Sequence, residues 1–351
     1  MNGRPSHSII ESIRRRPVMY LGSMNSYGIR RLIKLVITDY LEDVTGITGI
    51  EITFSADNHI SMLITGASID ELQHEIAFLE ETGSGKNFKT ALLVGYGATT
   101  LIRITTDVEV SLISSKGSYE ILTKPAAEEP GSIRVDCWLD GDLFKDNQPA
   151  YIPTNTMLQQ MAYLNPGLKI VSTDNGEEFQ RNVFHFKNGI SELFHDLLDK
   201  HYYGHVNSWL PLELKTAING YIIHIILKYH HIYTTHPDPY IRSYADNENT
   251  KEHGSLVEGV IKGLEDAFTA VGEKEEWDLK VTKKRIGKQL VLFAAVKGEP
   301  LTYGGVGKNK LDMPGLKRDV RKYVKKMVLK HLESNKGDRK RVYDKFKRKE
   351  D

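Results

Sequence analysis

An α+β fold, built twice in succession, is what the order of regular segments in this 351-residue chain predicts. Three observations carry that reading. Short runs of alternating apolar and polar residues come in groups rather than in strict alternation with helices, so the pattern is not that of a doubly wound parallel sheet. Residues 28–46, 255–268 and 316–332 each repeat apolar side chains at three- and four-residue spacing, as a helix covering a sheet does. The polar stretch His201–Asn207 separates two such sets of strands and helices, which places a boundary near residue 200.

The elements follow in order. In Gly28–Gly46 the residues Ile29, Leu32, Ile33, Val36, Ile37, Tyr40, Leu41 and Val44 make one apolar face, with Leu35, Asp39 and Glu42 on another. Ile50–Ser55 and His59–Thr65 read as strands joined at Asp57-Asn58. Glu75–Thr90 is polar, and Thr90–Arg103 is expected to be helical despite Gly95 and Gly97. Val108–Ser114, Tyr119–Thr123 and Ile133–Leu139 alternate as half-buried strands do. A helix at Thr154–Leu164 is stopped by Asn165-Pro166-Gly167 before a strand at Leu168–Ser172. Val183–Phe186 is a strand and Gly189–Leu198 an amphipathic helix. Beyond the boundary come a long strand at Tyr221–Tyr233, a helix at Ser255–Phe268, a buried strand at Gln289–Val296 and a helix at Leu316–Leu332. The expected organisation is 1–198, 199–333 and a basic tail at 334–351.

Composition bounds the class. Apolar content of 40% and charged content of 26% are those of a globular protein with a sizeable core in each unit. Cys137 is the only cysteine, so no internal disulfide forms, and a reducing cytoplasm is the expected compartment. No apolar run is long enough for a signal peptide or a membrane span. The net charge of +1 conceals an asymmetry: Lys317–Asp351 holds 15 Lys/Arg against 6 Asp/Glu. A basic end on an acidic body suggests a polyanion, with nucleic acid the first candidate. A solvated helix with a frayed tail is the equally weighted bland reading.

Four motifs carry a resemblance. Ile13–Ser23 reads I-R-R-R-P-V-M-Y-L-G-S. Leu164–Ile170, L-N-P-G-L-K-I, is followed by Phe184–Asp196, F-H-F-K-N-G-I-S-E-L-F-H-D. Ser243–Gly259 reads S-Y-A-D-N-E-N-T-K-E-H-G-S-L-V-E-G, and Val306–Leu311 reads V-G-K-N-K-L. In this order and spacing they resemble the ATPase and transducer region of the type IIA topoisomerase ATPase subunit, the gyrase B or topoisomerase IV ParE family. The resemblance implies a GHKL (Bergerat) ATPase-like α/β sandwich to about residue 195. A ribosomal-S5-like transducer domain would follow. It further implies that the family's metal-binding TOPRIM domain and the DNA-cleaving partner are not in this sequence. The family's dimerising N-terminal arm would be shortened here to Met1–Ser8. A homodimer remains open, an ATP-gated clamp less so.

Laid on this chain, the family's nucleotide site is altered at nearly every position. The glutamate that polarises the attacking water falls on Leu35, and no one-residue shift restores it. The asparagine that holds Mg²⁺ falls on Asp39. The aspartate that accepts the adenine amino group falls on Ile64, and its D-x-G-x-G turn becomes Ile64-Thr65-Gly66-Ala67-Ser68, keeping only Gly66. Gly95 and Gly97 are a remnant of the glycine-rich lid that wraps the phosphates. Lys308 matches the transducer lysine that reaches the terminal phosphate; a surface lysine in a Lys-rich loop is the favoured reading. Loss of the adenine acceptor costs about 1–3 kcal/mol, and loss of the general base about 10²–10⁴ in rate. The expectation is therefore no catalytic residue, no resident metal and no cofactor, with ATP and Mg²⁺ as ligands if the site survives.

Weaker signals are set aside. Gly83-Ser84-Gly85-Lys86 lacks the first P-loop glycine and its Ser/Thr. His201, His205, His224, His230 and His231 lack a ligand pattern. Asp70, Glu71, Glu80 and Glu81 read as a solvated acidic face. Arg14–Arg16 are ordinary in the motif that contains them. Three functions stay open: a binding or regulatory module with a degenerate site, acting on DNA or a topoisomerase-like protein; a divergent ATP-hydrolysing subunit of a split type II DNA topoisomerase; and a DNA-binding protein using residues 317–351.

Overall fold

The computed structural model describes residues 13–55, 57–67, 98–106, 108–115, 118–126, 131–144, 151–176, 179–201, 208–230, 238–305 and 307–348. The chain divides into two compact units, residues 1–189 and 190–351.

In the first unit a short helix α1 (Pro17–Leu21) ends at Gly22 and leads to α2 (Ser26–Asp43). The side chain of Asn25 caps α2 by accepting the backbone N–H of Tyr27 at 2.9 Å. Eight strands follow: β1 (Gly49–Phe54), β2 (His59–Thr65), β3 (Thr99–Thr105), β4 (Val108–Ser115), β5 (Ser118–Pro125), β6 (Ser132–Leu139), β7 (Lys169–Asp174) and β8 (Gln180–His185). They form one sheet in the order β5-β4-β3-β6-β2-β1-β7-β8. All neighbours are antiparallel except β1 and β7. The parallel pair needs a crossover, which includes α3 (Tyr151–Leu164). The apolar faces of α2 and α3 join Ile50, Ile52, Ile60, Met62, Ile64, Ile133 and Val135 in one core.

The expected helix at Thr90–Arg103 is corrected here, because Thr99–Thr105 is strand β3. Ile102 and Ile104 point into the core while Leu101 and Arg103 point away, a period of two that the β-branched residues favour over a helical turn. Residues 90–97 lie outside the described residues, as do the acidic and Gly-Ser-Gly-Lys segments.

The second unit opens with α4 (Ile190–His201), the helix expected to close the first domain at residue 198. Its attachments explain the placement. Phe194 meets the ring of Phe293 edge-on at 5.2 Å, and Ser191 Oγ donates to Glu213 Oε1 at 2.5 Å. The sheet is β9 (Ser208–Ile218), β10 (Tyr221–His230), β11 (Tyr240–Ala245), β12 (Glu248–Asn249) and β14 (Leu290–Lys297), in the order β12-β11-β14-β10-β9. A two-stranded pair, β13 (His253–Gly254) with β15 (Lys310–Leu311), lies apart from it. Strand β10 ends at His230, and 231–233 of the expected longer strand lie outside the described residues.

Helices α5 (Ser255–Lys274), the short α6 (Lys283–Gly287) and α7 (Pro314–Ser334) complete the core of this unit. A Cβ at Gly259 would stand 2.8 Å from the carbonyl of Lys317, and one at Gly263 2.8 Å from that of Arg321. The two glycines thus let α5 and α7 cross backbone to backbone.

The expected basic tail at 334–351 is not a tail over its first part. Lys336–Phe346 is a helix, α8, capped by the side chain of Asn335. Val342 and Phe346, one turn apart, are fully buried. Buried Asp338 accepts the backbone N–H of Leu210 at 3.0 Å. Arg285 donates to the carbonyls of Lys345, Phe346 and Lys347, satisfying groups that a helix end leaves open.

Candidate nucleotide site and basic helix

In the first unit the candidate positions lie on α2 and at the end of β2. Leu35 is half-buried and packs against the core; Asp39, one turn later, is half-buried. Ile64 is fully buried, with Ile50 and Ile133 as its partners on the neighbouring strands. Where the family resemblance places a carboxylate, the side chain is a branched aliphatic inside an aliphatic core. An ionised group there would lose its hydration with no partner to replace it.

Gly66 has its own structural reason. It sits at φ +84°, and a Cβ would come within 2.6 Å of both the Gly46 carbonyl and Thr48 Oγ1. Gly46, at φ +83°, faces the Gly66 carbonyl just as closely. The approach to β1 and the exit from β2 meet here, tied by Thr48 N–H donating to the Thr65 carbonyl at 2.9 Å. That contact requires glycine with or without a ligand. Gly95 and Gly97 lie outside the described residues.

Arg14 of the opening motif is also put to structural use, pairing with buried Asp140. Cys137 is buried, and its thiol is pushed up to about 12 by burial and by the Asp136 charge, so it is inert as a thiolate.

Lys308 lies in the second unit, in the loop between β14 and β15. It is exposed, takes a left-handed φ of +51°, and holds its ammonium 5.6 Å from the centre of the Tyr303 ring.

Of the five histidines weighed as metal ligands, His205 and His231 lie outside the described residues. His224 shares Glu213 with Ser191 and Lys215, at 2.9 Å, 2.5 Å and 2.9 Å. Burial raises the Glu213 pKa, but these three donors outweigh it and hold the carboxyl at about 2. Burial and the Lys228 charge push His230 down to about 4. Among the described residues no group of His, Cys, Asp and Glu has the makings of a metal site.

The basic C-terminal region separates into two populations, a sorting the sequence does not disclose. Lys317 pairs with Glu258 at 2.6 Å, Arg321 with Asp266 at 2.5 Å, Arg339 with Glu275 at 2.8 Å and Arg348 with Asp278 at 3.3 Å. Lys345 donates to the Lys288 carbonyl at 2.7 Å and lies over the Tyr229 ring; burial and the nearby Arg285 and Lys288 charges push it down to about 8. The second population is exposed: Lys322, Lys326 and Lys330 on α7, with Lys325 half-buried, and Lys336, Lys340 and Lys347 in or just after α8.

The α+β architecture is consistent with a GHKL ATPase-like fold followed by a transducer-like fold. Solved structures agree. The B-subunit of DNA gyrase from Myxococcus xanthus superposes with a TM-score of 0.71 at 17% identity, covering 96% of this chain and 99% of that one. The topoisomerase IV ATP-binding domain of Francisella tularensis gives 0.75 at 19%, covering 95% and 94%.

More particularly, residues 185–351 match the family model for DNA gyrase B. The DNA gyrase B-subunit of Halalkalibacterium halodurans is 25% identical over 86% of this chain. That of Archaeoglobus fulgidus is 24% identical over 96%. The chain is thus similar to the ATPase–transducer region of the B-subunits of gyrase and topoisomerase IV, as its motifs indicated. It spans about half of those two relatives' length, 51% and 56%. Among the described residues no helix is long and apolar enough to cross a membrane.

Proposed function

We propose that this chain is a gyrase-B-like ATPase–transducer module whose nucleotide site has degenerated, and that it serves as a binding or regulatory partner of DNA or of a topoisomerase-like protein. The observation that supports this reading is Ile64. The position that would recognise adenine is fully buried among Ile50 and Ile133, so it offers a base no hydrogen-bond acceptor. Leu35 adds to it, since an alkyl group packed on the core cannot take a proton from water. Gly66, the surviving glycine of the turn, is accounted for by its approach to Gly46.

The second reading is a divergent ATP-binding subunit of a split type II topoisomerase. Exposed Lys308 and half-buried Asp39, both at positions matching the family's phosphate and metal contacts, favour it. Mg²⁺ on a carboxylate in place of an amide is sound coordination chemistry, although an unmetallated Asp39 would repel a phosphate.

Calorimetry with ATP and a non-hydrolysable analogue in Mg²⁺, on wild type and Lys308→Ala, separates the two. The degenerate site gives no binding heat up to millimolar nucleotide and no turnover. Micromolar binding weakened by Lys308→Ala, or saturable hydrolysis by pure protein, would establish the second reading instead.

A further inference from the structure

We infer that the second unit holds a binding pocket for a small amphipathic carboxylate, formed where α5, α6 and the start of β11 meet. Residues of these elements line a cavity of about 620 Å³, which falls in the range of small-molecule sites. Its apolar wall is Val257 and Ile261, one turn apart on α5, continued by Ile241 of β11 and by Pro239. Helix α5 is apolar on more sides than an ordinary covering helix needs. Leu256, Val260 and Leu264 are sealed in the core, and Gly259 and Gly263 meet α7. Val257 and Ile261 form a further stripe that opens on the cavity.

The mouth of this cavity is charged. Lys283 and Lys284 of α6 and Lys288 at its end line it, all exposed. Among the described residues none of the three forms an ion pair. Glu258 lines the cavity too, but Lys317 takes it at 2.6 Å. That hydrogen bond, helped at longer range by Lys310 and Lys283, holds the carboxyl below the usual carboxylate range. Asp238 and Glu252, both exposed, supply the remaining acids. Three lysines against these two carboxylates leave the mouth cationic, which selects an anionic head. His253 adds a directional group. It takes a left-handed φ of +63°, which glycine would hold without strain, and its Nδ1 lies 2.9 Å from Ser243 Oγ. Ser243 is itself fixed by the Thr250 carbonyl at 2.9 Å and Oγ1 at 2.7 Å. With Nδ1 engaged, Nε2 is the ring atom left for a ligand. Burial holds the imidazole below its ordinary value, so it meets that ligand neutral at pH 7.

The depth of the wall argues for a small molecule over a macromolecular surface. Val257 and Ile261 are only 5% and 7% exposed, recessed behind the lysines, so a flat partner would meet the rim and miss the apolar stripe. A phosphate polyanion would likewise leave that stripe unused. A ring or branched chain of a few carbons reaches it and keeps one carboxylate at the rim, burying apolar area while the charge stays solvated beside the lysines.

The pocket is tested without nucleotide or DNA, so its fate is separate from that of the ATP site. Fluorine NMR of the full chain is recorded with para-trifluoromethylbenzoate and with the matching benzyl alcohol and benzylamine, reading affinity by titration. The carboxylate should saturate below about 10 mM and bind at least about tenfold tighter than the alcohol or the amine. Replacing Lys283, Lys284 and Lys288 by glutamine should remove most of that preference and leave the alcohol within about twofold of wild type. Ile241→Trp, which fills the cavity from a half-buried position, should abolish binding of all three probes. Should that variant fail to fold, the lysine variant, whose three side chains are exposed, decides alone. Absence of saturable carboxylate binding overturns the assignment. So does an amine or alcohol that binds as tightly, or a preference that survives loss of the lysines. Carboxylate binding retained by folded Ile241→Trp would place the probe elsewhere and overturn it as well.

Discussion

Helices α2 and α7 treat charge in opposite ways. In the first unit, positions that match acidic residues of the nucleotide site hold Leu35, packed from α2 onto the core, and Ile64, sealed between two other isoleucines. In the second unit, α7 keeps a full complement of charge but divides it, one set tied down by α5 and another left facing out. The difference teaches how packing and solvent each select a kind of side chain. An aliphatic side chain at a buried position adds to the packing that holds the sheet and helices together. An exposed lysine adds only what its methylene stem covers.

The largest effect expected from breaking that contrast is at Ile64. Ile64→Asp places an unpaired carboxyl in a fully buried position, and a loss of about 3–5 kcal/mol in urea-unfolding stability is expected. A near-neutral result would mean that the position faces an open pocket, and the degenerate-site reading would lose its main support. Phe346→Ala is expected to cost about 3–5 kcal/mol by opening a cavity under α8. If the unfolding midpoint does not move, residues 336–346 contribute little to the unit, and the basic region is a tail after all.

Gly66→Ala comes next, with about 1–3 kcal/mol expected from left-handed strain and the clash with Gly46. Its readout is the unfolding midpoint, and loss of binding to a ligand without loss of stability would instead make Gly66 a contact residue.

The smallest effect is a pH dependence. Glu213 is held at about 2, below the ordinary 4.5, so its stabilisation is present above pH 4.5 and is lost as pH falls toward 2. The carboxyl is well exposed to solvent, which leaves roughly 1 kcal/mol. Glu213→Gln should flatten the acid limb of the stability curve between those values while leaving the plateau lower by the same amount.

Much of this was legible in the chain itself. Periodicity placed α2, β1, β2, α5 and α7, because each carries its apolar residues at a spacing that local geometry dictates. The candidate positions Leu35, Asp39 and Ile64 came from motif spacing, and the structure adds their burial. Strand β3 was not, because Gly95 and Gly97 precede it in the sequence without saying where a helical turn would end. Helix α8 was not either. Its charges outnumber its apolar residues, and only Val342 and Phe346 reveal a buried side.

What the sequence determined alone was the two-part α+β order, the gyrase-B-like motif set and the absence of a glutamate at position 35. These rest on local periodicity and on residue identity, which need no neighbours. The tertiary structure decided three further things: that Ile64 is core, that Gly66 answers to Gly46, and which cations of the C-terminal region are spent within the unit. Each depends on a partner far away in the chain. Lys317 reaches back 59 residues to Glu258 and Arg321 55 to Asp266, and no pattern within a helix announces which of its charges has found such a partner.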